Sequence, residues 1–269
     1  MRSSDIQMPT IPELIVTFSE VTNNLRSMAQ QLDYPWKPDE GDPRVLHNSY
    51  ARSLFTCYVS KFSDLSDGLL DAIKKQNYLV YALSGRAMIE HVATLRYYVQ
   101  YEYKPIFDKG SLSARDFRKL IEIDDKHLRG SRFDWESFLF LRYSKLKADA
   151  VQHLKNKKDK RKNIVASVVQ GQVNVVTCIE RWASEIPEVL IAYNLFCDLV
   201  HPNIGSAFLV ASTSQETLYF SRFKGEPIGE KIFEQSFPIL VSAALKPLGD
   251  QLTLLLGTIW HDDEIPKKA

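Results

Sequence analysis

The chain contains little glycine or proline and only three cysteines. Its 269 residues include 11 Gly and 12 Pro. This scarcity disfavours turn-rich sandwich and barrel folds and favours long helices. The cysteines (Cys57, Cys178 and Cys197) are widely spaced and form no Cys-x-x-Cys pair. Because each lies in an apolar helical stretch, we expect three buried free thiols in a reducing, cytoplasmic environment.

Net charge and long apolar runs are also lacking. The 34 Lys and Arg residues against 33 Asp and Glu leave a formal net charge of +1. This balance argues against nucleic-acid binding through bulk electrostatics, although it allows a local basic groove. The longest apolar stretch, 237–260, is interrupted by Lys246 and Asp250, so no segment reaches the roughly 18 apolar residues of a membrane span. The first residues show no apolar core of signal-peptide length. We therefore expect a cytoplasmic protein without a membrane partner.

Signatures of metal and nucleotide binding are missing from the sequence. The six histidines are dispersed and none forms a His-x3-His pair. No Gly-x-Gly-x-x-Gly, Walker or Gly-x-Ser-x-Gly motif is present. The basic run 155–162 could contact phosphates, but no aromatic residues flank it to stack on bases, so a solvated loop is the better interpretation. We predict neither a metal ion nor a cofactor.

Apolar periodicity predicts a mainly all-α fold. Apolar residues recur at helical spacing along most of the chain. The connection at 76–77 is very short, so the two long helices that it joins should lie antiparallel. Pro187 is expected either to kink or to divide one helix. The predicted helices cover 11–32, 44–76, 77–103, 113–128, 134–155, 174–200 and 232–260.

One region has a different pattern. Residues 207–212 and 217–222 are strand-like and flank the polar segment 213–216, which predicts a two-strand hairpin. An isolated hairpin is only marginally stable, so it must pack on helices. We therefore predict a single helical domain over 1–269. It is a bundle of long antiparallel helices with one small β-hairpin insertion near 207–222, the helix 11–32 as an attached arm and a C-terminal helix at about 232–260.

Charged residues within the apolar helix 77–103 suggest a polar site. Arg86 and Glu90 are four residues apart, so they share a helix face and can form an ion pair. Their neighbours are apolar, which predicts partial burial, either as a polar site between helices or as a strap to a neighbouring helix. Arg86 and His91 have an Arg-x4-His spacing. Residues five apart lie about 140° apart around an ideal helix, and a match this short is expected by chance.

The most distinctive segment closes the helix 174–200. Pro202 cannot continue a helix and restricts the residue before it, so His201 is expected at a helix C-terminus beside a turn. Asp198 precedes His201 by three positions and can touch it, and Tyr193 lies on a related face. A carboxylate that orients a histidine ring suits general acid–base work. The alternative is a His–Asp pair that only fixes the turn, with Asn203 as a cap.

These segments resemble a group of uncharacterised bacterial proteins. The resemblance rests on Tyr193-Asn-Leu-Phe-Cys-Asp-Leu-Val-His-Pro-Asn203, which matches a tyrosine, a Leu-Ser/Cys-Glu/Asp core and a terminal His-Pro-Asn, and on Ser84-Gly-Arg-Ala-Met-Ile-Glu-His91, which is similar to an Arg-x3-Glu helix. More distantly, the arrangement resembles HEPN-type helical proteins, many of which are metal-independent ribonucleases that work as dimers in toxin or phage-defence systems.

The resemblance implies a catalytic site and two partners. RNA would be the substrate, and a second copy of the chain would complete a homodimer. His201 or His91 would be the acid–base group, and Arg86 would stabilise the developing phosphorane charge. The implied site brings together Arg86, Glu90, Tyr193, Asp198 and His201. Two other interpretations stay open: a non-catalytic interaction or dimerisation module in which the cluster is structural, and a small-molecule sensor with a pocket between helices.

Overall fold

The computed structural model describes residues 9–31, 42–129, 173–221 and 224–260. The predicted helix 134–155 and the basic run 155–162 lie outside these ranges. The described part is mainly helical with one small sheet, which confirms the predicted fold class. The helices are α1 (Ile11–Gln31), α2 (Pro43–Lys74), α3 (Tyr78–Tyr97), a π-helix (Tyr98–Tyr103), α4 (Lys104–Phe107), α5 (Ala114–Arg129), α6 (Val175–Ala183), α7 (Glu188–Val200), α8 (Ile204–Phe208) and α9 (Ile228–Trp260).

The antiparallel pair predicted from the short connection is α2 and α3. Gly68 of α2 faces Ser84 of α3, and Tyr58 of α2 packs on His91 of α3. Residue numbers therefore rise along one helix as they fall along the other. The turn between them is fixed by Asn77, whose side-chain oxygen accepts a hydrogen bond from the backbone N–H of Val80 and so caps α3.

A π-helix extends α3 where the sequence predicted a continuous helix to residue 103. In a π-helix the hydrogen bonds join residues five apart, so such residues face the same way. Tyr98 and Tyr103 are five apart, and both are buried. An α-helix would have turned one of them away from the core. The change of pitch therefore places two phenols in the interior.

The core forms where α1, α2, α3 and α9 meet. Phe18 of α1 is fully buried and lies 6.4 Å from Phe62 of α2 and 6.1 Å from Phe237 of α9, between ring centroids. Helix α9 begins at Ile228, four residues earlier than predicted, and contains Pro238 within it. In the part of the chain that the structure describes, no helix is apolar over a length that would cross a bilayer.

The region 174–200 divides at Pro187 into α6 and α7, which settles the alternative that the sequence left open. The predicted burial of all three thiols is wrong for one of them. Cys178 is buried and Cys197 is half-buried, but Cys57 is exposed. The periodicity of α2 turns this position outward, beside the buried Tyr58.

The predicted hairpin is present but shorter than expected. Strands β1 (Ser212–Thr213) and β2 (Leu218–Tyr219) pair antiparallel. A third strand, β3 (Glu226–Pro227), pairs with the other edge of β1 and was not predicted. The expected strand at 207 is instead the end of α8. The reason is a capping box, in which Asn203 and Ser206 each accept a hydrogen bond from the other's backbone N–H and start a helix.

Candidate functional site

Three of the predicted site residues meet in one cluster, formed by Arg86 and Glu90 of α3 and Tyr193 of α7. The Arg86 Nε–H donates to Glu90 Oε1 at 2.9 Å, and the Tyr193 hydroxyl donates to the same oxygen at 3.3 Å. The guanidinium carbon of Arg86 lies 5.8 Å from the centroid of the Tyr193 ring, within the range of a cation–π contact. We call this set the Arg86 cluster.

Close contact between α3 and α7 brings these side chains together. Gly85 has no side chain, and the ring of Phe196 occupies the space that a Cβ would need. Phe196 also packs edge-on against Tyr81, with ring centroids 5.8 Å apart. The buried residues of α7 follow helical spacing, which turns Tyr193 toward the rim of this contact. The two helices therefore pack closely at Gly85 and Phe196, and the polar side chains lie at the edge of this contact.

Burial and hydrogen bonding set the charge states in the Arg86 cluster. Burial, together with a hydrogen bond to the Cys197 thiol, raises the pKa of Tyr193 to about 12. Burial alone would lower the pKa of Arg86, but the hydrogen bond and charge of Glu90 outweigh it and raise that pKa. At neutral pH the phenol is therefore protonated and the guanidinium is charged. The cluster therefore presents hydrogen-bond donors around the Arg86–Glu90 ion pair.

His91 lies elsewhere, in the core between α3 and α2. It is 7% exposed, and its Nε2 is 2.8 Å from the backbone carbonyl oxygen of Tyr58. Its ring packs against those of Tyr58 and Phe62. Burial lowers the pKa of His91 to about 4. The Nε2–H therefore serves as a donor to a backbone oxygen, and the neutral ring is shielded from any substrate in solvent.

His201 and Asp198 lie at the end of α7 and are both exposed. The extended backbone of His201 ends the helix as expected. In the described structure Asp198 pairs with Asn203, whose Nδ2 is 3.5 Å from Asp198 Oδ1, rather than with His201. Asn203 in turn caps α8. Eight residues separate Tyr193 from His201, which corresponds to about 12 Å along a helix axis. The structure thus groups Arg86, Glu90 and Tyr193 and leaves the histidines outside the group.

The sequence interpretation missed a second, fully buried polar network. His47 Nδ1 lies 2.8 Å from Asp124 Oδ2, and its Nε2 lies 3.0 Å from the Tyr103 hydroxyl. The Tyr98 hydroxyl donates to Asp124 Oδ1 at 2.6 Å. Both acceptor oxygens of this carboxylate are thereby used. The network ties α2 and α5 to the π-helix, and burial raises the pKa of Tyr98 well above its usual range.

One signal in the sequence could have revealed this network. Asp124 follows Phe117 and Leu120 at helical spacing, so it lies on the buried face of α5. A carboxylate on an apolar face requires a partner. The identity of the partner could not be read from periodicity, because His47 is 77 positions away. The network is closed to solvent, so we assign it to stability rather than to substrate binding.

In the described ranges, no three His, Cys, Asp or Glu side chains are grouped so that they could hold a metal ion. Each hydrogen bond described for the Arg86 cluster and for the buried network joins two side chains of this chain. No protein-family model, curated protein or solved structure matches this chain.

Proposed function

We propose that this chain is a HEPN-like, non-catalytic helical module that acts as a homodimer. The observation that carries the proposal is the position of His91. A ribonuclease of this type would need a histidine beside Arg86 that exchanges protons with RNA. The histidine on the same helix is buried, neutral and bonded to the Tyr58 carbonyl oxygen. Arg86 instead donates a hydrogen bond to Glu90 and lies over the ring of Tyr193.

A face of α3 supports the assignment of an interaction role. Leu79, Leu83, Arg86 and Glu90 are spaced by four, three and four residues, so they form one stripe along the helix. Leu79 and Leu83 are 37% and 49% exposed, although both side chains are large and apolar. The stripe therefore consists of two exposed leucines followed by a half-exposed ion pair. We call it the α3 face.

The charges on the α3 face favour a second copy of the chain as its partner. An isologous interface places the same patch against itself about a twofold axis. Arg86 and Glu90 lie on one line with opposite charges, so two antiparallel copies can set each guanidinium near the other copy's carboxylate. The net charge of +1 gives little repulsion between copies. The leucines supply the apolar area that such an interface requires.

The oligomeric state tests this proposal. We expect the wild type to sediment as a dimer and Leu83→Glu to sediment as a monomer at the same concentration. Burying an unpaired carboxylate in the interface should weaken association at least about 100-fold. Val16→Glu on α1 is the matched control, because Val16 is also exposed, at 55%. A monomeric wild type, or equal dissociation by both variants, would overturn the proposal.

A ribonuclease that uses His201 is the second candidate. The observation in its favour is that His201 is exposed and ends the same helix that brings Tyr193 to Glu90. The test is incubation of purified protein with total RNA and EDTA, using wild type, His201→Ala and His91→Ala. The non-catalytic proposal expects intact RNA throughout. RNA cleavage that His201→Ala abolishes would replace it with the nuclease.

A further inference from the structure

The α3 face is too small to hold two copies of the chain together by itself. It consists of two leucines and one ion pair, whereas a stable interface covers about 800 Å² of each partner and involves about 20–30 residues a side. A dimer that uses this face must therefore also cover a neighbouring helix. Helix α2 adjoins α3 at Gly68, which meets Ser84. Helix α7 adjoins it at Tyr193, which bonds to Glu90.

The surface of α2 beside its contact with α3 is charged. Asp64 and Asp71 lie one turn to either side of Gly68, and both are exposed. Charged residues are depleted from the cores of protein interfaces, because burying a charge costs free energy. A second copy that extended its contact over α2 would have to bury these carboxylates. This surface is therefore a poor extension of the α3 face.

The side of α7 next to α3 has the opposite character. Leu190 precedes Tyr193 by three positions and Cys197 follows it by four, so the three side chains lie on one side of the helix. Leu190 is 37% exposed although it is large and apolar, and the other two are half-buried. None of them is Asp, Glu, Lys or Arg, and tyrosine is enriched in interfaces. We call this stripe the α7 margin.

The Arg86–Glu90 pair determines how two copies would be aligned. Two antiparallel copies of the α3 face bring each guanidinium near the other copy's carboxylate when the twofold axis passes midway between Arg86 and Glu90. Tyr193 contacts both residues, so the axis also passes close to Tyr193. Positions at equal distances before and after this point lie opposite each other. Leu190 of one copy therefore faces Cys197 of the other.

We propose that the second copy covers the α7 margin together with the α3 face, so that α3 and α7 of the two copies form a four-helix contact. Leu190 of each copy packs against Cys197 of the other, and the two Tyr193 rings lie near the axis. This arrangement rests on the dimer proposed above, and it adds the second helix and the alignment of the two copies.

Cross-linking between copies tests this alignment. Leu190→Cys, combined with Cys57→Ser to remove the exposed thiol, places a new thiol opposite Cys197 of the other copy. Diamide should oxidise the two thiols to a disulfide, taking up their two electrons and two protons, and convert most of the protein to a covalent dimer. Within one chain the two positions are about 10 Å apart along the helix, beyond the roughly 7 Å that a disulfide can bridge. A disulfide between positions 190 and 197, identified by mass spectrometry, therefore joins two copies.

Ile191→Cys in the same background is the matched control. Ile191 is 65% exposed, but it lies about 100° further around the helix than Leu190, outside the α7 margin. Its thiol should not form a disulfide with position 197. Adding Leu83→Glu to Leu190→Cys should abolish the cross-link, because the dimer is lost. Leu190→Glu should weaken association at least about tenfold, and Ile191→Glu should leave it unchanged.

The outcomes separate the role of α7 from the dimer itself. A wild type that sediments as a monomer would refute the proposed dimer and the four-helix contact with it. A wild-type dimer in which Leu190→Cys forms no more of the 190–197 disulfide than the Ile191→Cys control forms at 191–197 would leave the dimer standing and refute the role of α7.

Discussion

At the scale of single residues, the same side-chain type has opposite surroundings in two parts of this chain. His91 is enclosed by aromatic rings and bonded to the Tyr58 carbonyl oxygen, whereas His201 is exposed at a helix end. The family resemblance implied that one or the other is the acid–base group, and sequence spacing added only the neighbouring Asp198 in favour of His201. Spacing shows which residues share a helix face, but it does not show which face a neighbouring helix covers. His91 is covered by α2, and this burial lowers its pKa and keeps the ring neutral.

The burial of His91 predicts a pH dependence of stability. Its folded-state pKa of about 4 lies below the ordinary value of 6.5. Between these values the unfolded chain binds a proton that the folded chain does not, so stability falls as pH decreases. We expect the free energy of unfolding to drop by about 2 kcal/mol between pH 7 and pH 5 from this group. Urea unfolding of the wild type and of His91→Gln measures the difference.

The His91→Gln variant keeps a donor for the Tyr58 oxygen and removes the titration. Its free energy of unfolding should therefore change less over the same pH interval. NMR of the imidazole gives a direct check, since the His91 ring should stay neutral until the pH approaches 4. This account would be contradicted if the free energy of unfolding changed equally with pH in the two proteins, or if the His91 ring became protonated near pH 6.5.

At the scale of helices, the pair α3 and α7 depends on the absence of a side chain at Gly85. A Cβ at this position would lie 2.7 Å from Cε1 of Phe196. Gly85→Ala should therefore force the helices apart and destabilise the fold by about 1–3 kcal/mol, even though alanine favours helix. Urea unfolding measures the loss, and Phe196→Leu in the same chain should recover part of it.

Gly68 of α2 offers the matched control. A Cβ there would meet Ser84 Oγ at 3.7 Å, an ordinary van der Waals contact. Gly68→Ala should therefore stabilise the protein by about 0.5–1 kcal/mol through helix propensity alone. If both substitutions have the same sign, close packing at Gly85 does not hold α3 against α7. The Tyr193–Glu90 hydrogen bond should weaken only in Gly85→Ala.

Periodicity predicted the helices well because amphipathic spacing is a local property. The bounds of α1, α2 and α5 agree with the predicted ranges within two residues. The Arg86–Glu90 ion pair was equally local, as its members are four residues apart. The π-helix, β3 and the His47–Asp124 contact could not be predicted in this way. Each depends on a partner far along the chain, which a single sequence does not identify.

At the scale of the whole molecule, α1 joins the core through Phe18 and Leu25. Phe18 is fully buried and contacts rings from α2 and α9, which are distant in sequence. Arg26 adds an ion pair to Asp67 of α2, but both side chains are largely exposed and such pairs contribute little. The sequence pattern predicted this helix as an attached arm. The position of Phe18 leads us to expect that it unfolds together with the bundle.

Phe18→Ala tests that expectation. Removing a ring that is enclosed by Phe62 and Phe237 should lower the free energy of unfolding by about 3–5 kcal/mol. Val16→Ala, at a position 55% exposed on the same helix, should change it by less than about 0.5 kcal/mol. Far-ultraviolet circular dichroism reports the loss of helix, and the fluorescence of the four tryptophans, which include the buried Trp182, reports the loss of packing in the bundle. If α1 is part of one cooperative unit, both signals shift together to lower urea in Phe18→Ala. An arm that unfolds on its own would instead leave the fluorescence midpoint unchanged and add an early step to the dichroism curve.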